Sequence, residues 1–74
     1  MSLGAELRRA RTDAGLTQEQ LAFAADLDRS YISLLEHDQK SPTVDTLVRL
    51  CAALGVRASV LLARVERGRA GRGG

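Results

Sequence analysis

Residues that end helices interrupt this chain so often that only short helices can form. Within five segments, apolar residues recur at steps of three and four, the spacing of one helix face. The segments are separated by Gly15, by the pair Asp26 and Leu27, by Pro42 and by Gly55. Because glycine commonly ends a helix, proline blocks one and no strand-like alternation is present, the sequence predicts an all-α fold of five helices.

Capping residues and apolar spacing together set the predicted helix bounds. Thr17 followed by Gln20 is a capping-box pattern, and Asp28 and Thr43 are suited to the same position before later helices. Only two residues separate the second helix from the third, so these helices must cross sharply. The fourth helix carries the clearest apolar stripe, which we expect to face the core: Val44, Leu47, Leu50, Cys51 and Leu54. The predicted helices span residues 3–14, 18–25, 29–37, 44–54 and 58–65.

Composition limits both the size of the core and the compartment. The chain has 74 residues, of which 45% are hydrophobic and 3% aromatic, so we expect one small domain with an aliphatic core. A single Cys allows no internal disulfide, and there is no apolar run of about 18 residues. The first residues lack the basic and apolar regions of a signal peptide. These features favour the cytoplasm and no membrane association.

The formal net charge of +2 arises at the C-terminal end of the chain. Residues 1–65 carry eight cationic and eight anionic side chains, whereas residues 66–74 carry three Arg and one Glu. This last segment is rich in Gly and Arg and has little to bury, so we expect a disordered tail. The predicted organisation is one domain over residues 1–65 and a tail over 66–74, and the net charge alone does not identify what the domain binds.

Four motifs keep the spacing of a known family. They are Leu16-Thr17-Gln18-x-x-Leu21-Ala22, Tyr31-Ile32-Ser33-x-Leu35-Glu36, Pro42-Thr43 with Thr46-Leu47, and Ala53-Leu54-Gly55-Val56. From about residue 3 to residue 62, the chain resembles the five-helix helix-turn-helix domain of the lambda-repressor and Cro type, also called the xenobiotic-response-element family. It has Asp26 and Asp38 where the family usually has Gly. If both positions need a left-handed backbone, Asp tolerates it better than most residues.

The resemblance implies that helices 2 and 3 form a DNA-binding helix-turn-helix, with the N-terminal residues of helix 3 at base edges in the major groove. The candidate base-reading residues are Arg29, Ser30, Ser33 and Leu34. Arg29 can bond two acceptors of one guanine, or it can be solvated or pair with a nearby aspartate. The two serines can reach bases or phosphates or simply be exposed, and Leu34 can touch a thymine methyl group or cover the edge of the core.

Phosphate contacts are expected from a helix N-terminus and from the loop after helix 3. The candidates are Gln18, Tyr31, Gln39, Lys40 and Ser41. Gln18 matches the phosphate-binding Gln of the family, or it only completes the start of its helix. The phenol of Tyr31 can reach a phosphate, or the ring can simply be packed.

The resemblance also implies a structural ion pair and a dimer. Arg11 and Glu36 match the pair that forms a partly buried salt bridge and holds the recognition helix at its angle. One recognition helix reads only a few base pairs, so we expect a homodimer on an inverted repeat. The family places the dimer contact in helix 5 and the end of helix 4, where Val56, Val60 and Val65 are the interface candidates. The alternative is an ordinary surface with a few exposed valines.

Catalysis is not expected from this chain. One His, one Cys and glycines clustered at the C-terminal end assemble neither a catalytic arrangement, a metal site nor a phosphate loop. No cofactor and no small-molecule effector is evident. The favoured hypothesis is a sequence-specific transcriptional regulator of double-stranded DNA, either a repressor or an autoregulatory controller. The alternatives are an antitoxin-type interaction module with secondary DNA binding and an RNA-associated domain acting through the tail.

Overall fold

Side chains cap the start of three helices in the computed structural model, which describes residues 2–70. Its five α-helices are α1 (Leu3–Asp13), α2 (Gln18–Ala25), α3 (Arg29–Glu36), α4 (Val44–Leu54) and α5 (Ala58–Ala70). Ser2, Thr17 and Thr43 each accept a hydrogen bond from a backbone N–H in the first turn of α1, α2 and α4. The predicted capping box forms, because Gln20 also accepts from the Thr17 N–H at 2.9 Å. Asp28 precedes α3 but makes no side-chain capping bond, so that predicted cap is wrong.

The helices α1 to α4 all end in the same left-handed turn. Gly15, Asp26, Asp38 and Gly55 follow these helices with φ angles of 73°, 57°, 58° and 74°. At each end the next N–H donates to the carbonyl five residues earlier, at 2.8 to 3.1 Å, and the left-handed residue donates to the carbonyl three residues earlier. This is the Schellman pattern, which satisfies carbonyls that the helix leaves open. Both aspartates therefore occupy the left-handed conformation that glycine adopts at the other two ends.

All five helices contribute to an aliphatic core. Its largest fully buried side chains are Leu7, Leu21, Ile32, Leu35, Leu50 and Leu61. Helix α1 packs against α3 and α5, α2 packs against α3 and α4, and α4 packs against α5. Helix α3 is thus held mainly by α1 and α2.

Two predictions at the edges of the domain are wrong. Helix α5 continues to Ala70 rather than ending at residue 65, so residues 66–70 belong to a helix and not to a disordered tail. Buried Leu61 and Val65 anchor α5 on the core, and no proline stops it. Residues 71–74 of the predicted tail lie outside the described residues. Val44, placed in the core-facing stripe of α4, is 79% exposed because it lies in the first turn of α4, where nothing covers it.

None of the described helices is by itself long and apolar enough to span a membrane. Only α4 and α5 taken together reach the length and composition required, and they are bent by 108° relative to each other.

Candidate nucleic-acid interface

The first turn of α3 presents polar side chains to solvent. Arg29 and Ser30 are exposed, while Ser33 and Leu34, one turn later, are half-buried. The opposite side of the helix carries the buried residues Ile32, Leu35 and Glu36. The candidate base-reading residues therefore share the side of α3 that faces away from the core.

Arg29 has no carboxylate partner within the part of the chain that the structure describes. The ion pairs found there join Arg11 to Glu36 and Arg49 to Asp26. The alternative in which Arg29 pairs with a nearby aspartate is therefore absent from this structure. Its guanidinium retains its donors for an acceptor outside the chain.

The C-terminal end of α3 is anchored through Glu36. Arg11 Nε donates to Glu36 Oε2 at 2.6 Å, and a second guanidinium nitrogen donates to Oε1 at 3.1 Å. The two side chains are only 12% and 2% exposed. The structure thus brings together the two residues assigned to a buried salt bridge, in the two-point geometry that favours Arg–carboxylate pairs.

Two further contacts complete this cluster. Arg11 Nη1 donates to the Leu16 carbonyl at 2.9 Å, and Gln18 Nε2 donates to Glu36 Oε1 at 3.1 Å. Hydrogen bonding to Glu36 raises the pKa of Arg11, an effect that burial of the guanidinium opposes. The cluster joins α1, the start of α2 and the end of α3. One N–H of the Gln18 amide group remains for a phosphate, since that group has two N–H donors.

The other candidate phosphate contacts lie around the loop after α3. Gln39, Lys40 and Ser41 are exposed, whereas Tyr31 is half-buried and packs against the core. Lys40 and Ser41 line a cleft of about 410 Å³ beside the first turn of α1. The loop thus displays one cation and two neutral polar groups to solvent.

The sequence did not reveal how this loop is fastened to α1. The Gly4 N–H donates to Asp38 Oδ1 at 2.9 Å, so the carboxylate caps the start of α1 from 34 residues away. A Cβ on Gly4 would collide with the Leu35 carbonyl and lie 2.7 Å from the Glu36 carbonyl. Gly4 therefore permits α1 to approach the end of α3. The only sequence signal for it is a glycine inside an otherwise regular helical pattern.

The three valines proposed for a dimer contact lie in different surroundings. Val65 is only 6% exposed, so its assignment to an interface is wrong: it lies one turn after Leu61 on the buried side of α5. Val56 is half-buried against the core, and Val60 is 43% exposed. Leu62, which is not among the predicted interface residues, is exposed to a similar degree.

A second cleft separates α1 from α5 and contains a buried carboxylate. Charged side chains line this cleft of about 350 Å³, and Glu6 is 2% exposed within it. Glu6 Oε1 has no hydrogen-bond partner among the described residues. An unpaired buried oxygen of this kind costs stability.

Known proteins are similar to this chain in both sequence and fold. The family model for the helix-turn-helix (HTH_3) matches residues 7–61. The chain is 37% identical over 62 residues to the immunity repressor of Bacillus phage phi105, covering 84% of this chain and 43% of the repressor. It is 36% identical over 62 residues to the control protein C.MunI of a Mycoplasma species, covering 84% of this chain and 81% of C.MunI.

A solved structure of a similar protein has the same fold. The restriction-modification controller protein C.AhdI of Aeromonas hydrophila superposes with a TM-score of 0.77 at 39% identity, covering 80% of this chain and 89% of that one. The chain spans less than half of the length of the phage repressor that it matches, and most of the length of the controller. The chain belongs to the helix-turn-helix family of the lambda-repressor and Cro type.

Proposed function

We propose that this protein is a transcriptional regulator that binds a specific inverted repeat in double-stranded DNA as a homodimer, with α3 of each copy in the major groove. The observation that carries the proposal is the contrast between the two ends of α3. Glu36 is clamped to Arg11, whereas Arg29 and Ser30 are exposed and Arg29 has no carboxylate partner among the described residues. A helix fixed at one end with free donors at the other suits direct base readout.

Arg29 is the proposed principal reader, with Ser30, Ser33 and Leu34 as further contacts. A guanidinium that bonds two acceptors of one guanine contributes about 1–3 kcal/mol of discrimination. We propose that Gln18, Tyr31, Gln39, Lys40 and Ser41 contact phosphates on either side of the groove. These contacts orient the protein on DNA without reading its sequence.

Selection of bound duplexes from a random pool tests the proposal. The expected product is a palindrome whose half-sites lie about 34–36 Å apart, one helical turn. Arg29→Ala should relax the preference at one position of each half-site. Arg9→Ala, which removes an exposed Arg on the side of α1 facing α5, is the matched control and should keep the consensus. Enrichment of unrelated sequences would refute sequence-specific binding.

We propose that the homodimer forms through the start of α5. From residue 58 to residue 63 this helix carries no charged side chain, and Val60 and Leu62 flank its outer side. Val60→Asp should give a monomer by sedimentation, because a carboxylate cannot be buried without a partner. Val44→Asp places the same change on an exposed valine of α4 and should leave the dimer intact. A native chain that sediments as a monomer at tens of micromolar and binds DNA without cooperativity contradicts the dimer.

The names of the relatives favour two modes of regulation, those of an immunity repressor and of a restriction-modification controller protein. We propose a repressor or an autoregulatory controller. Transcription from the promoter of the chain's own gene and from other promoters with the selected site, measured with increasing protein, distinguishes the two: an autoregulatory controller changes the first, whereas a repressor of other genes lowers the second.

A further inference from the structure

Arg49 extends from α4 to the C-terminal end of α2, the first helix of the helix-turn-helix. One of its terminal nitrogens, Nη2, donates to the Ala25 carbonyl at 2.7 Å and to the Asp26 carbonyl at 3.0 Å. The same nitrogen lies 3.8 Å from Asp26 Oδ2. The guanidinium thereby satisfies carbonyls at a helix end and places a positive charge at the negative end of the helix dipole.

These carbonyls belong to the turn that gives α3 its direction. Asp26 is left-handed, and the Leu27 N–H closes the turn on the Ala22 carbonyl at 2.8 Å. Helix α3 begins at Arg29, so few backbone dihedral angles lie between the two helices. A small rotation at this turn therefore displaces the first turn of α3, where the base-reading side chains lie.

The two ends of α3 are fixed by different helices. Glu36 fastens the C-terminal end to Arg11 of α1, and Arg49 of α4 holds the turn that precedes the N-terminal end. We propose that Arg49 is a positioning residue for base recognition, which orients the first turn of α3 by holding the turn between α2 and α3. This inference rests on the proposed function.

The competing role for Arg49 is a phosphate contact, since its side chain is 40% exposed. The two roles differ in what they affect. A phosphate contact contributes to binding of every duplex and to its salt dependence, whereas orientation of α3 affects the binding of the cognate sequence alone.

Two substitutions separate these roles. Arg49→Met keeps the apolar stem and removes the donors, while Arg49→Lys keeps the charge and one donor group. Arg9→Met is the control, because it removes an exposed Arg from the side of α1 that faces α5. Each variant is measured below its melting temperature, over a range of salt, on the duplex selected by the native protein and on a scrambled duplex of equal length.

If Arg49 positions α3, Arg49→Met binds the selected duplex about tenfold more weakly, a loss of about 1.4 kcal/mol, because the displaced first turn of α3 makes poorer base contacts. Its affinity for the scrambled duplex and its salt slope match those of Arg9→Met, and Arg49→Lys recovers part of the specific affinity. An equal loss on both duplexes, with a salt slope lower by about one than that of Arg9→Met, overturns the inference in favour of a phosphate contact. Unchanged affinity for the selected duplex also overturns it.

Amide hydrogen exchange tests the same inference without DNA. Exchange of the Leu27 N–H should be about tenfold faster in Arg49→Met and unchanged in Arg9→Met, because loss of the clamp opens the turn locally. Equal exchange in all three proteins overturns the inference. A random pool that yields no enriched duplex refutes the proposed function instead, and the exchange measurement then still decides whether Arg49 holds the turn.

Discussion

Replacement of Glu36 by Ala tests whether the Arg11–Glu36 ion pair at the C-terminal end of α3 stabilises the domain. The substitution removes the acceptor of three side-chain hydrogen bonds, two from Arg11 and one from Gln18. It leaves the Arg11 guanidinium, whose side chain is only 12% exposed, without a counter-charge. Removal of one partner from such a pair lowers the free energy of unfolding by about 3–5 kcal/mol.

This loss is large for a domain of this size. Small domains are stable by about 5–15 kcal/mol, so Glu36→Ala removes a major fraction. Since 1 kcal/mol shifts the melting temperature of a small domain by about 4–8 °C, we expect a decrease of about 12 °C or more. Circular dichroism at 222 nm during heating measures it.

Arg29→Ala is the matched control for this experiment. It also truncates a charged residue of α3, but one that is exposed and makes no ion pair among the described residues, so its effect on stability should stay within about 0.5 kcal/mol. The double substitution Arg11→Met with Glu36→Leu should recover much of the loss, because it removes both charges together. Equal melting temperatures for Glu36→Ala and Arg29→Ala would refute the reasoning.

Four further predictions concern single positions and are checked by thermal or urea unfolding. Asp26→Gly should raise the melting temperature by about 4 °C or more by relieving the left-handed strain, whereas Asp38→Gly should not, because it also removes the cap on the Gly4 N–H. Gly4→Ala should lower stability by about 1–3 kcal/mol, since the added methyl group meets backbone carbonyls. Glu6→Met should raise stability by about 1–3 kcal/mol, because it removes a buried oxygen without a partner. Burial raises the pKa of the Cys51 thiol above 9.0. The stability that comes from burying the neutral thiol is therefore full below pH 9.0 and is lost as the pH rises further. Cys51→Ala should flatten this alkaline decline in stability.

Each of these predictions has an outcome that contradicts it. Equal gains from the two glycine substitutions would show that the Asp38 carboxylate contributes nothing as a cap. An unchanged melting temperature for Gly4→Ala would mean that α1 can move away from α3 at no cost. A less stable Glu6→Met chain would indicate that the carboxylate finds a partner in solution, and identical alkaline profiles with and without the thiol would remove Cys51 as the cause.

Helix bounds could be predicted from the sequence where residues close to the helix end determine them. Helix α2 has its predicted bounds, because the capping box at Thr17 and the turn at Asp26 both lie within a few residues of it. The end of α5 was not predictable in this way. A stretch rich in Gly and Arg is typical of a linker, but α5 continues through it to Ala70, beyond the buried Val65. Composition is a weak guide where a helix is already anchored on the core.

Contacts between residues that are far apart in the sequence could likewise be predicted only in part. The Arg11–Glu36 pair was accessible only through resemblance to a family, since 25 residues separate its members. The contacts of Arg49 with the end of α2 and of Asp38 with Gly4 were not anticipated. No periodicity connects such positions, and they become neighbours only when the helices pack. By contrast, Val65 lies four residues after Leu61, one helical turn along the same face, and this spacing alone favours its burial.

The placement of Tyr31 makes its fluorescence useful for monitoring DNA binding by this protein. The chain has one Tyr and no Trp, so all of its intrinsic ultraviolet emission above the phenylalanine range comes from a single ring. That ring lies half-buried in the first turns of α3, beside the side chains proposed to meet DNA. Without any attached dye, its emission intensity and anisotropy therefore give a native optical signal from the recognition helix itself, during both titration and stopped-flow mixing.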